Sequence, residues 1–254
     1  MDFEVAAEAY DFFLGRWSVQ LAPGMADLAE VRPGTGAHVL DVGCGTGSLT
    51  AELVRRVNPA AVAAIDPSAA MVATTQARYP GVDVRQATAA ELPFDGDQFD
   101  AAIAQLVIHF MPDPVEGLRE MRRVTRPGGT VATCVWDYAG GRDPLGVFWE
   151  AARVVDPAVH DESDLPGAGR GRLAALLTAA GFDEIIEIEL HARRTVPDVA
   201  AWWAPFTVGV GPAGRYLAKL DAELQIALRA ECERRLPDGP VTVDAIALAA
   251  MGRA

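Results

Sequence analysis

The segment Val39-Leu40-Asp41-Val42-Gly43-Cys44-Gly45-Thr46-Gly47-Ser48-Leu49-Thr50 constrains this chain more than any other. An apolar run ends around an acid, three alternate glycines follow, and a helix-compatible stretch opens at once. A compact apolar run of this kind forms a strand buried on both faces of a parallel sheet. The glycines let the backbone turn tightly and approach a ligand with no Cβ in the way, and the following helix N-terminus offers unpaired N–H groups. A cofactor crevice at the carboxyl end of that strand is the expectation.

The chain around this loop keeps the same rhythm. Periodicity predicts strands at 37–42, 61–65, 82–87, 99–105 and 129–136, with helices at 47–57, 68–78 and 113–125. That alternation is the βαβ signature of a doubly wound α/β sheet. Helix 113–125 ends at Arg126-Pro127-Gly128-Gly129, where proline cannot continue it and the glycines turn the chain into the next strand.

The flanks read differently. Phe3, Ala7, Tyr10, Phe13, Leu14, Trp17 and Leu21 recur every three or four residues, which predicts an N-terminal amphipathic helix stopped by Pro23-Gly24, with a second short helix to Val31. Residues 138–170 read as an insertion over the sheet with a short helix around Val147 to Val155. Leu173 to Ala180 then forms a helix closed by Gly181, and Phe182 to Leu190 a strand. A long helix steps through Leu217, Leu220, Leu224, Leu228, Cys232 and Leu236, and Val241 to Ala250 makes a last strand. The expected organisation is a single domain over 1–254, with an N-terminal helical cap at 1–31, a cofactor-binding core at 37–136, and cap insertions at 138–170 and 196–236.

Charge and cysteine usage exclude several classes. Twenty-two basic against thirty-five acidic side chains give a net charge of -13, a field that repels phosphate backbones and anionic lipid head groups. Nucleic acid is not an expected partner. Cys44, Cys134 and Cys232 lie far apart without C-x-x-C spacing, which argues against a disulfide framework or zinc site and for a reducing cytoplasm. Met1-Asp2-Phe3-Glu4 lacks the basic start of a signal peptide, and the longest apolar stretch, Phe99 to Met111, contains Asp100, Gln105 and His109, so no membrane segment is expected. His38, His160 and His191 are scattered, no metal site is expected, and Asp161, Glu162 and Asp164 read as a solvated loop.

Two details bear on the cofactor. A dinucleotide fingerprint needs its third glycine at Ser48 rather than Gly47, and Asp41 would set a carboxylate beside the pyrophosphate. S-adenosylmethionine carries no phosphate, and its ammonium and sulfonium groups attract a carboxylate. Asp66, at the end of the second strand, is placed to accept hydrogen bonds from ribose hydroxyls in either system.

With these features in place, the sequence resembles the class I S-adenosylmethionine-dependent methyltransferases, in particular the bacterial small-molecule and ubiquinone-biosynthesis-like branch. The matching pieces are Val39 to Gly47, Ala64-Ile65-Asp66-Pro67-Ser68 with Met71, Glu91-Leu92-Pro93-Phe94 followed by Phe99-Asp100, and Leu118-Arg119-Glu120-Met121 through Gly129. The resemblance implies a Rossmann-like seven-stranded sheet in order 3-2-1-4-5-7-6 with the last strand antiparallel. It implies Asp41 and the backbone of Gly43, Gly45 and Gly47 around the methionine portion, Asp66 on the ribose, and Pro67 and Met71 against adenine. Thr88 and Ala89 take the adenine-edge position, where many relatives carry an aspartate, and Gln105 lines the methionine end and the acceptor. Tyr10 and Arg16 lie in a segment similar to one that closes over the cofactor, with Arg16 pairing with the methionine carboxylate.

The expected reaction is methyl transfer to an oxygen, nitrogen or carbon nucleophile of a small molecule by in-line displacement. His109 is the candidate general base, weighed against a histidine that merely packs at a strand end. Trp202, Trp203 and Phe206 either line an aromatic substrate pocket or pack in the core. The alternatives are a non-catalytic S-adenosylmethionine-binding protein and an NAD(P)-dependent oxidoreductase.

Overall fold

The computed structural model describes residues 11–254. Tyr10 therefore lies outside the described residues. Seven strands form one sheet: β1 (Val39–Val42), β2 (Val62–Asp66), β3 (Asp83–Gln86), β4 (Phe99–Gln105), β5 (Thr125–Trp136), β6 (Asp183–Val196) and β7 (Val241–Arg253). Their order is β3-β2-β1-β4-β5-β7-β6, with β1 to β5 mutually parallel and β7 antiparallel to both of its neighbours. All residues of β1 and β2 are buried, Asp41 and Asp66 included, as expected of largely apolar strands covered on both faces.

The helices are α1 (Arg16–Leu28), α2 (Ser48–Arg56), α3 (Ala69–Arg78), α4 (Pro114–Val124), α5 (Gly146–Val155), α6 (Arg172–Ala179), α7 (Val199–Trp203), α8 (Gly211–Lys219) and α9 (Ala222–Glu233). The core between sheet and helices is filled by Leu40, Leu53, Ile65, Ile103, Leu118, Met121 and Trp136, all essentially inaccessible to solvent. Helix α4 shows why its stripe was readable: Asp113 caps it by accepting from the Glu116 N–H, while Leu118, Met121 and Val124 face the sheet.

Three expectations are corrected. Pro23-Gly24 does not stop a helix; α1 runs through it to Leu28. Pro23 sits on the exposed side, and Gly24 allows a close approach, since a Cβ there would come within 2.6 Å of Leu190 on β6. The carbonyl of Pro23, together with Asp27 and the Val31 carbonyl, is gripped by the buried guanidinium of Arg56, which also pairs with Glu52 at 2.7 Å. The long helix expected from Leu217 to Leu236 is two: α8 ends at Lys219 and α9 restarts after Asp221, whose carboxylate accepts from the Leu224 N–H at 2.8 Å. A side-chain cap with better local chemistry overrode a continuous apolar stripe. The 161–164 acids are not a uniformly solvated loop either, because Glu162 is buried.

One feature of the sheet positions the site. Trp136, the last residue of β5, pairs with Ala247 of β7, which in turn pairs with Leu190 of β6. Residues 191–196 and 241–246 therefore continue as a two-stranded ribbon beyond the carboxyl edge of β5. Helix α1 packs on β6, and α7 packs beside the same ribbon. Phe148 of α5 stacks on Phe206 at 4.6 Å, and Trp202 lies 4.9 Å from Phe206, so the aromatics of α5, α7 and the 204–208 turn form one buried cluster.

Candidate active site

The register sets Asp41 of β1 between Ala64 of β2 and Ile103 of β4, so its side chain reaches the loop from below. Thr50 of α2 donates its hydroxyl to Asp41 Oδ2 at 2.6 Å, tying the first turn of the helix to the strand it follows. The carboxyl is almost wholly buried, and burial, reinforced by the nearby charge of Asp66, pushes its pKa up to about 7 against the pull of the Thr50 bond.

Asp66 closes β2 and grips the loop from the side. Its Oδ2 accepts from the Gly45 N–H and its Oδ1 from the Ser68 N–H, both at 2.9 Å. Burial raises its pKa and these two backbone bonds oppose the rise. The loop is fixed elsewhere as well: the N–H groups of Gly43 and Cys44 donate to the Ile65 carbonyl, and Thr75 of α3 donates to the Gly45 carbonyl at 2.7 Å. The three glycines are left-handed, with φ of +75° at Gly43, +55° at Gly45 and +90° at Gly47. Their surroundings differ. A Cβ on Gly43 would collide with Val107 and one on Gly47 with Tyr79, whereas one on Gly45 would meet nothing within 4 Å among the described residues. Gly45 thus presents bare backbone to open space beside a buried acid.

The other expected residues gather on the same edge. Met71 is buried on α3, where its N–H bonds the capping hydroxyl of Ser68, and exposed Pro67 lends its carbonyl to Gln86. Thr88 and Ala89 follow β3, with Thr88 exposed and bridged to Glu91. Gln105 ends β4 and donates Nε2 to the Ser18 carbonyl of α1 at 3.0 Å, while its buried Oε1 meets no partner among the described residues. Leu106, with φ of +61°, then turns the chain sharply into the short 108–110 helix, a strained conformation for a branched residue at a strand end.

His109 sits on that turn. It is buried against Phe110 and Tyr138, at ring separations of 3.9 and 5.9 Å, and its Nδ1 has no hydrogen-bond partner among the described residues. Burial alone pushes its pKa down to about 3. Arg16, at the start of α1, is exposed and borders a cavity of ≈ 490 Å³ with Thr46, Gly47 and Ser48.

Sequence reasoning did not single out Thr50, Ser68 or Thr75, although each holds a loop or acid in place. Their only signal was position: Thr50 in the first turn after the glycine loop, Ser68 as the cap of α3 two residues after an acid, and Thr75 further along α3. The arrangement suits a ligand with cationic character and an adenosine-like body. Among the described residues two buried acids with raised pKa have no cation beside them, a glycine backbone stands open, and the amide oxygen of Gln105 lacks a donor.

Comparison with known proteins agrees. The family described as "Methyltransferase domain" matches residues 40–133. A demethylmenaquinone methyltransferase of Clavibacter sepedonicus is 33% identical over 238 residues, covering 85% of this chain and 91% of that protein. Among solved structures, the geranyl diphosphate C-methyltransferase of Streptomyces coelicolor, in complex with Mg2+, geranyl diphosphate and S-adenosyl-L-homocysteine, superposes with a TM-score of 0.56 at 15% identity, covering 100% of this chain and 86% of that one. The [4+2]-cyclase SpnF reaches 0.59 at 22% identity, covering 92% and 81%. At these identities the structural likenesses speak for the fold alone.

Proposed function

The chain belongs to the class I S-adenosylmethionine-dependent methyltransferases, and from that premise we propose that its acceptor is a small, largely apolar molecule that enters between α1, the β6–β7 ribbon and the aromatic cluster. The observation that carries this reading is that α1 borders both spaces: Arg16 and Val19 line the cavity beside Thr46, Gly47 and Ser48 of the glycine loop, and Trp17, 6.2 Å from Trp136 at the end of β5, lines a second one with Leu145, Trp202 and Phe206. In this proposal 138–170 and 196–236 act as caps over one catalytic domain. No helix among the described residues is long and apolar enough to cross a membrane.

The bound cofactor supplies an electrophilic methyl carbon on a sulfonium, already a good leaving group. The protein's own task is to hold the nucleophile in line with that carbon and to keep water out. We assign Asp66 to the ribose hydroxyls, its two backbone bonds fixing the rotamer in advance, and Pro67, Met71, Thr88 and Ala89 to the adenine. Asp41 and the backbone of Gly43, Gly45 and Gly47 surround the methionine portion, with Asp41 contributing a buried negative charge toward the cationic end. Arg16 takes the methionine carboxylate. Gln105, anchored to α1 through Ser18, aims its free Oε1 at the reacting end. His109 is assigned to packing, since a base whose conjugate acid has a pKa near 3 accepts little proton density.

The test is calorimetric and radiochemical. S-adenosylhomocysteine should bind one site per chain, and label from S-adenosyl[methyl-3H]methionine should move to at least one member of a panel of hydroquinones, phenols and hydroxylated aromatic acids. Binding without transfer to any of them would discard the acceptor class while leaving the cofactor assignment standing.

A further inference from the structure

The even-numbered residues of β6 from Leu190 onward face α1, and one of them is a cation. Leu190 meets Gly24 of α1, Ala192 is buried, and Val196 is half-buried, whereas His191, Arg193 and Thr195 on the opposite face are exposed. Arg194 occupies the apolar face of this alternation and is itself half-buried. It borders a cavity of ≈ 30 Å³ whose other walls include Trp17, Leu145, Val196, Trp202 and Phe206.

A guanidinium taken from water needs an anion or carbonyl to replace its hydration. Other buried or half-buried arginines have one: Arg56 meets Asp27 and Glu52, Arg142 meets Asp137 and Glu189, and Arg253 meets Glu30. The Arg194 guanidinium has no hydrogen bond or ion pair among the described residues, while its backbone lies opposite Val243 in the β6–β7 ladder. Burial and the neighbouring charge of Arg16 both push its pKa down, and no acid among the described residues opposes them. In a chain with a net charge of -13 a half-buried cation with no acid beside it among the described residues is an unusual choice, because carboxylates to neutralise it are plentiful.

We propose that Arg194 is the anion anchor of the acceptor pocket, and that the acceptor joins an apolar body to an anionic oxygen group, a carboxylate or its equivalent. The proposal rests on the acceptor entering between α1 and the ribbon. The planar fork of arginine matches two carboxylate oxygens, and the aromatic walls beside it suit a flat hydrocarbon body. The cavity as it stands holds about one water, so that body enters as α7 and the 204–208 turn move outward. Arg16 and Arg194 then divide two anions between them: Arg16 takes the carboxylate of the cofactor and Arg194 that of the acceptor.

The experiment uses the full chain loaded with S-adenosylhomocysteine and a matched pair of probes, 2-naphthoate and its neutral analogue 2-naphthamide, titrated by calorimetry. The wild type should prefer the carboxylate by about 10-fold or more, roughly the worth of one charge-assisted contact. Arg194→Met should erase the preference while S-adenosylhomocysteine affinity changes by less than about 2-fold, and Arg194→Lys should restore part of it. Equal binding of the two probes, binding of neither, or an undiminished preference in Arg194→Met overturns the proposal. A fall in S-adenosylhomocysteine affinity in Arg194→Met also overturns it, by assigning the guanidinium to the cofactor. Failure of the cofactor reading looks different: the wild type would not bind S-adenosylhomocysteine at all.

Discussion

The Gly45 N–H donates to Asp66 at 2.9 Å, so the acid that ends β2 holds the middle glycine of the loop that follows β1. The second oxygen of the same carboxylate takes the Ser68 N–H, which starts α3. One side chain thus links loop, strand and helix, and its geometry is set before a ligand arrives.

Asp66→Asn should weaken S-adenosylhomocysteine binding by about 1.5 to 3 kcal/mol, the scale of hydrogen bonds to a charged group. The amide must turn an NH2 toward one of the two backbone donors, so a lower melting temperature should accompany the loss. Titration calorimetry on the folded variant checks the first effect and thermal unfolding the second. Unchanged affinity would remove Asp66 from the ribose site.

Gly45 and Gly47 separate binding from folding. Both have positive φ, so alanine costs about 1 to 2 kcal/mol of backbone strain at either position. At Gly47 the new methyl would also collide with the Tyr79 ring, whereas at Gly45 it would meet none of the described residues. Gly47→Ala should therefore lower the melting temperature more, and Gly45→Ala should lose more S-adenosylhomocysteine affinity per unit of lost stability. The reverse order would place the cofactor on the other side of the loop.

How much of this was legible in the sequence follows from the range of each interaction. The core strands and the loop were readable because glycines, the terminal acid and compact apolar runs act locally, whereas the strand order came only from the family resemblance. Pro23-Gly24 misled because its meaning depends on Leu190, far along the chain, which needs the missing Cβ. Leu217 to Leu236 misled because the apolar stripe continues across the break that Asp221 caps. The solvated reading of Glu162 failed for the same reason: only tertiary packing buries that carboxyl beside Trp149 and Asp143. Arg194 was hidden in a strand whose register fixes which side of the ribbon it faces. Asp41 was readable as the acid of the strand that leads into the glycine loop, but its bond to Thr50 needed the helix to be in place.

Glu162 makes the stability of the protein sensitive to alkali. Burial, with the charge of Asp143 adding to it, pushes its pKa up to about 8 from an ordinary 4.5. The folded state therefore binds this proton more tightly than the unfolded chain, and the stability it confers is complete below about 4.5 and lost as pH rises to about 8. Glu162→Gln keeps the shape and removes the charge. Its melting temperature should match the wild type near pH 4.5 and exceed it by several degrees near pH 9, as measured by scanning calorimetry. Parallel curves at all pH values would show that the carboxyl does not ionise against its surroundings.

The last test concerns His109, the one side chain the sequence offered as a base. Its pKa near 3 leaves it neutral throughout the range in which methyl transfer is measured, and a sulfonium electrophile makes no demand for a strong base. His109→Gln should therefore leave turnover per folded molecule within about 3-fold and leave the acid limb of the pH profile in place. The cost should fall on stability, because the ring packs between Phe110 and Tyr138. That cost has a pH signature. A histidine with a depressed folded pKa loses stability as pH falls below its unfolded value of about 6.5, so the gap between wild type and variant should narrow from pH 7 to pH 5. A rate loss of roughly 100-fold with the melting temperature unchanged would instead make His109 the base, and would require the turn at Leu106 to open so that the imidazole regains water and a proton.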